Sequence, residues 1–351
     1  MAAHSTGIAR CRLAVDLGAA RTRIAVRDEG LIVDAPSVLA LDTRTGDIVA
    51  AGEAAAAMRG RGAPHVRVVH PLENGIVADP DQVGVLLRHL AGRRPRFFGR
   101  RRRALVALPC GSGPAGRRTA AAALAPLGVR HVESIPAPLA AAVGAGIPYH
   151  QAEASLSVVC GASATQAAII ADGTVVDHDI VAVGGDAVER AITEHLRAAY
   201  GVVLPRRETP SLFARLGPGT CELGYVPLRC WDLRSASLRT IDVDLDTLRA
   251  AVDRPVGMVV DAVRRVLGRC TPELVIELAD RGIVMAGGLA ALPGMDTMVR
   301  DAAGVPVHVA PDPANAVVRG LSHLLDTRAR PEPHDRGALP QAPESRELAY
   351  D

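Results

Sequence analysis

Apolar and polar positions along this chain fall into a pattern that repeats once. From Leu13 to Val26, LAVDLGAARTRIAV, an apolar run meets a glycine-containing turn and then alternates through Thr22, Arg23, Ile24, Ala25 and Val26. That pattern predicts a β-hairpin. Residues 156–169, LSVVCGASATQAAI, repeat it in register, with identities at Leu13/Leu156, Val15/Val158, Gly18/Gly161, Ala19/Ala162, Thr22/Thr165 and Ala25/Ala168. Each copy opens a stretch in which strand patterns alternate with helical ones. This predicts an α/β protein of two related halves with largely parallel sheets, ligands near strand ends and two hairpin turns across one cleft.

Between the hairpins the sequence predicts a strand pair over 37–51 with the turn Arg44-Thr45-Gly46-Asp47, a helix over 82–90 and an apolar strand over 104–109. A helix over about 115–125 follows, then a Pro-led, Ala-rich helix start over 137–142. In the second half Gly184-Gly185-Asp186 precedes a helix ending at Ala199, 245–267 reads as a long amphipathic helix, and a strand over 282–286 ends at Gly287-Gly288. Beyond Thr327 the residues are mainly Pro, Arg, Glu and Asp. That composition cannot bury a core and predicts a disordered tail over 328–351.

Composition narrows the chemistry. At 351 residues the chain should hold about two domains. Three Phe, four Tyr and one Trp leave the core to Val, Leu, Ile and Ala. All 40 basic residues are arginine, so a P-loop lysine and a Schiff-base amine are both excluded. Six cysteines without a CxxC pair suit a reducing cytoplasm. Cys160, on an apolar strand, reads as packing rather than as a nucleophile. No signal peptide or membrane-spanning run is visible, and a net charge of +2 gives no reason to expect nucleic acid. One segment departs from this balance. In RRPRFFGRRRR, Phe97 and Phe98 stand between Arg96 and Arg100 among further arginines. It reads either as a solvated basic loop or as a loop that inserts shallowly into an anionic bilayer surface.

Three glycine turns follow strands, at Gly18, Gly161 and Gly287-Gly288, where backbone amides can approach phosphate oxygens without a Cβ in the way. With that order of turns, the chain resembles the actin superfamily, and within it the bacterial MreB/Mbl family. The likeness runs from about Leu13 to Leu325 through LIVDAPSVLALDTRTGDIVAAGEAA, VHPLENGIVADPD, VALPCGSGPAGRRTAAAAL, AAAVGAGIP, VGGDAVERAI and CTPELVIELADRGIVMAGGLAALPGMD.

The resemblance implies an actin-like ATPase fold: two duplicated RNase H-like α/β domains, each with an outer subdomain, around a cleft for ATP and Mg2+. Domain I is expected over 1–149, with an outer subdomain at about 33–75 and a C-terminal helix at about 314–327 completing it. Domain II is expected over 150–313, with its outer subdomain at about 201–248. The implied role is a cytoplasmic filament at the inner face of the cell membrane that guides peptidoglycan synthesis and cell shape. Its implied partners are copies of itself or an active paralogue, the anionic membrane surface and the cell-wall synthesis machinery. The family's first-domain membrane loop falls near RRPRFFGRRRR.

Carried over residue by residue, the family's DLGTAN motif matches Asp16, Leu17, Gly18, Ala19, Ala20 and Arg21. Asp16 would face the cation through water. Arg21, in place of an asparagine, either contacts phosphate or points into solvent. DIGGGTTE matches Val159 through Gln166, so the second metal-side aspartate is Val159, and Gly161 is followed by Ala162 and Ser163. The water-positioning glutamate of EEPMAAA falls on Ala137, and the ERIK motif on the nucleoside side falls on Pro210, Ser211, Leu212 and Phe213. The third turn survives as Gly287, Gly288, Leu289 and Ala290.

These losses imply weak ATP binding and impaired hydrolysis. Two alternatives stay open: a nucleotide-free scaffold or copolymerising partner, and, more remotely, a small-molecule kinase or Hsp70-like ATPase of the same superfamily.

Overall fold

The computed structural model describes residues 8, 10–92, 102–205, 208–216 and 224–327, without the side chains at 102, 210 and 211. The Arg96, Phe97, Phe98 and Arg100 segment and the tail from 328 lie outside the described residues.

Two five-stranded sheets share one topology. In the first, Leu13–Leu17, Arg21–Val26 and Gly30–Pro36 form an antiparallel meander, and Arg102–Leu108 then Val129–Pro136 add parallel strands on the other side of Leu13–Leu17. In the second, Ser155–Cys160, Thr165–Ala171 and Thr174–Val181 form the meander, and Ile283–Ala286 then Val307–Val309 add the parallel strands. The sequence repeat is therefore a structural one. Leu13 pairs with Val26 and Leu156 with Ile169, so corresponding residues hold corresponding places in the two ladders.

Burial follows from position in the sheet. Every residue of Ser155–Cys160 is buried, as suits a central strand covered on both faces. The edge strand Thr174–Val181 alternates between exposed and half-buried. Helices Gly185–Tyr200 and Leu245–Leu267 pack on the second sheet through Val188, Ile192 and Leu196 and through Val252, Val256, Val259 and Val263, positions that share one helix face. Pro80–Ala91 and Gly113–Leu124 cover the first sheet. The former starts two residues before the predicted position because Asp79 caps it, its carboxylate accepting from the amides of Asp81 and Gln82 at 2.9 and 3.1 Å, and Pro80 needs no N–H there.

A third core joins the halves. Helix Ala137–Gly144 crosses helix Ala316–Thr327, and both pack with Ala14, Ala25, Ala107, Val159 and Ala286 from the two sheets. At the crossing a Cβ on Gly144 would overlap the Ala316 carbonyl, and one on Gly320 would overlap the Ala140 carbonyl. Backbone meets backbone there, and only glycine leaves the room.

Two three-stranded sheets stand outside the large ones, one from Leu39–Asp42, Ile48–Ala51 and Val66–Val69, the other from Val202–Val203, Tyr225–Asp232 and Ser237–Asp244. No helix among the described residues is long and apolar enough to cross a membrane.

Candidate functional site

The two hairpin turns face each other across a cavity of about 320 Å³. It is lined by Asp16, Gly18, Ala19, Ala20 and Arg21 from the first turn, Gly161, Ala162 and Ser163 from the second, and Gly287, Gly288 and Leu289 from the third, with Ala137, Val159 and Phe213. Both hairpins close identically. The amide of Gly18 donates to Arg21 O at 3.1 Å and that of Gly161 to Ala164 O at 2.9 Å. A Cβ on either glycine would sit 2.7 or 2.8 Å from that same carbonyl, so the turn itself demands glycine. The amides of Ala19, Ala20, Ala162 and Ser163 have no acceptor among the described residues. Those four N–H groups suit an anion.

The N-terminus of helix Gly185–Tyr200 is already engaged. Gly185 N donates to Gly161 O at 3.0 Å and Asp186 N to Ala162 O at 2.8 Å. The second turn is thus braced by the helix through the carbonyls of Gly161 and Ala162. Gly287, at φ +87°, packs against Cys160, where any Cβ would overlap the Cys160 carbonyl. Burial pushes the Cys160 thiol up to about 12, which keeps it protonated and unreactive.

The charged side of the cavity is a network. Asp16 and Arg23 are direct cross-strand partners, with Arg23 Nη1 3.6 Å from Asp16 Oδ2 and Arg23 Nε 3.3 Å from Asp34 Oδ1. Asp16 and Arg23 side chains are only 14% and 11% exposed. Burial pushes the Asp16 carboxyl up to about 6, against the opposing pull of Arg23. Arg21 does not point free into solvent. Its Nε donates to Asp34 Oδ1 at 2.6 Å, its Nη2 donates to Asp34 O at 2.9 Å, and Glu53 Oε1 lies 3.3 Å away. A guanidinium so committed must break an ion pair before it can reach a phosphate.

The second half has no counterpart to this pair. Val159 and Gln166 hold the places of Asp16 and Arg23 and face each other across the ladder. Val159 is buried in the apolar core shared by the two halves. Gln166 is buried too, and its Oε1 accepts the N–H of Cys110 at 3.0 Å. Ala137 reaches the cavity with a methyl group alone.

Two residues expected at the site do not line it. Leu212 is fully buried in the core of the second half, whereas its neighbour Phe213 on helix Thr209–Arg215 lines the cavity. Ala290, in the short turn after Gly288, is buried behind it. The side chains of Pro210 and Ser211 are outside the described residues.

Sequence reasoning passed over Arg23, Gln166 and Asn74. The amide of Asn74 donates to Ser163 Oγ at 2.9 Å, linking the Leu72–Val77 region to the second turn. Strand alternation puts Arg23 on the face of Ala25, and counting back through the turn sets it opposite Asp16. That signal was present in the sequence.

No group of three or more His, Cys, Asp or Glu side chains among the described residues could hold a metal ion. With Val159 apolar and Asp16 paired to a guanidinium, the residues do not fit a divalent cation.

Two copies of one α/β unit, joined beneath and open above onto a cleft of facing hairpin turns, define an actin-like protein. Solved structures agree. The fold matches MreB 5 of Spiroplasma citri bound to AMPPNP with a TM-score of 0.80 at 24% identity, covering 88% of this chain and 93% of that one. It matches the MamK double helical filament with a TM-score of 0.70 at 16% identity, covering 89% and 98%. The model of the MreB/Mbl protein family matches residues 10–332, and the cell shape-determining protein MreB of Escherichia coli (strain K12) is 32% identical over 323 residues, 90% of this chain and 93% of that protein. The chain belongs to the MreB/Mbl family.

Proposed function

We propose that this protein is a cell shape-determining, actin-like filament subunit whose cleft takes an adenine nucleotide but turns it over slowly or not at all. The observation that carries this reading is a contrast within one cavity. Four free amides on two facing turns remain available to phosphates, whereas the positions matching the family's second aspartate and its glutamate hold Val159 and Ala137. Amides bind charge that is already present on a ligand. Hydrolysis needs in addition a group that orients or deprotonates water, and a valine and an alanine supply none. On the nucleoside side Phe213 offers an apolar face in place of polar contacts. Relatives support the rest: a fold neighbour is described as bound to AMPPNP, another as a double helical filament, and the Escherichia coli relative is named for cell shape.

Filaments follow when a head-to-tail contact does not close into a ring. In this reading they run at the inner face of the cell membrane with the cell-wall synthesis machinery, alone or with an active paralogue. Electron microscopy of the purified protein with and without ATP tests the filament part. Polymers that appear or lengthen with ATP support it, and their absence in both conditions, alone and with an active paralogue, contradicts it.

A nucleotide-free scaffold is the second reading. It is favoured by the Asp16–Arg23 pair and the Asn74–Ser163 bond, which partly satisfy the cleft without a ligand.

A further inference from the structure

We propose that Arg23 stands where a divalent cation would, and that the cleft takes the phosphates of a nucleotide without metal. This rests on the nucleotide reading above and names how that site handles charge.

Arg23 comes from the middle of strand Arg21–Val26, on the face that carries Ala25 into the shared core, and its side chain continues that face into the cavity beside Asp16. Among the described residues Asp16 is the only acidic side chain lining the cavity. A cation-binding cleft needs carboxylates free to accept from metal-bound water, and this one is held 3.6 Å from a guanidinium nitrogen that cannot lose its charge. A divalent ion arriving at Asp16 would have to sit against that fixed positive charge in a largely buried place, where repulsion is poorly screened. The equivalent place across the cleft offers Val159 and Gln166, neither of which carries charge. The second half cannot compensate.

Arg23 is also under-used by the protein. It is about nine-tenths buried, and its Nε is buried without a hydrogen-bond partner. Its distances to Asp16 and Asp34, 3.6 and 3.3 Å, mark charge attraction rather than well-formed hydrogen bonds. Asp34 is shared, because Arg21 holds it at 2.6 Å. A planar guanidinium with donors to spare, beside two turns of free amides, has the charge and geometry for phosphate oxygens. Burying an under-bonded arginine costs free energy that an arriving phosphate would offset. Metal-bound and metal-free nucleotide differ by two charges, and Arg23 favours the metal-free form.

The test is equilibrium binding of AMPPNP to the full-length protein by calorimetry, in magnesium and in excess EDTA, for the wild type, Arg23→Leu and Arg23→Lys. The wild type is expected to bind with the same affinity in both buffers, within a factor of about three. Arg23→Leu should weaken binding in EDTA about tenfold or more, and Arg23→Lys should keep part of it. Wild-type binding that needs magnesium, falling about tenfold or more in EDTA, would overturn this proposal and leave the nucleotide site standing. Absence of binding in both buffers would remove the nucleotide reading and this proposal with it. The wild-type arms decide the matter even if Arg23→Leu does not fold.

Discussion

Gln166 and Cys110 are joined across the two halves of the molecule. The side-chain carbonyl of Gln166 accepts the backbone N–H of Cys110 at 3.0 Å, and both residues are buried. Gln166 is the repeat counterpart of Arg23, so one ladder position serves charge in the first half and cohesion in the second. Gln166→Leu leaves that N–H without an acceptor, and stability should fall by about 1–3 kcal/mol. Urea unfolding checks it: the midpoint should drop with little change in slope. An unchanged midpoint would show that the bond contributes nothing.

The helix crossing beneath the cleft has no spare volume. Gly144 and Gly320 each lie against a carbonyl of the opposite helix. Gly320→Val forces the two helices apart and should cost about 3 kcal/mol or more, seen as a large fall in melting temperature. The same change at Gly288, where a Cβ would meet open space, should cost far less.

Much of this fold could be read from the sequence because the repeat is local and periodic. The hairpin pattern at Leu13–Val26 and its copy at 156–169 fixed the two sheets, and the 245–267 periodicity matched the observed helix at both ends. Motif order pointed to the cavity. What stayed hidden depends on distant residues meeting. Asp34 and Glu53 tie down Arg21 from another strand and another helix, and Cys110 selects Gln166 from 56 positions away. Leu212 and Ala290 lie off the cavity lining for a different reason: motif matching gives position in the chain, whereas the direction of a side chain depends on helix phase against a core.

Asp16 gives the molecule a pH signature. Its carboxyl titrates near 6, above the ordinary value of 3.8, because burial disfavours the charged form. The folded state therefore holds a proton that the unfolded state has released between about pH 4 and 6. Stability should fall through that window, by about 3 kcal/mol in all, and level off above it. Asp42, Asp177 and Asp232 act in the opposite direction, since hydrogen bonds and arginine partners hold their carboxyls below the ordinary range. Their contributions are lost at still lower pH. Asp16→Asn should abolish the fall between pH 4 and 6 in chemical unfolding, and a slope that persists in this variant would assign it to another group.

The thiols divide by burial. Burial pushes Cys11 up to about 11 and Cys110 and Cys160 up to about 12, so the reactive thiolate is scarce at each near neutral pH. Cys270 is only partly buried. Iodoacetamide labelling of native protein, read site by site by mass spectrometry, should modify Cys270 before Cys11, Cys110 or Cys160. Early modification of Cys160 would contradict its role as packing.

In the function we propose, the cleft keeps the means to hold phosphates and has lost the means to cleave them. Phosphate release from ATP, measured on the purified wild type with magnesium at concentrations that support polymers, tests it most directly. Release should proceed at the rate of ATP in buffer alone. Sustained release at the rate of a hydrolytically active member of the family, abolished when the protein is unfolded, would contradict it.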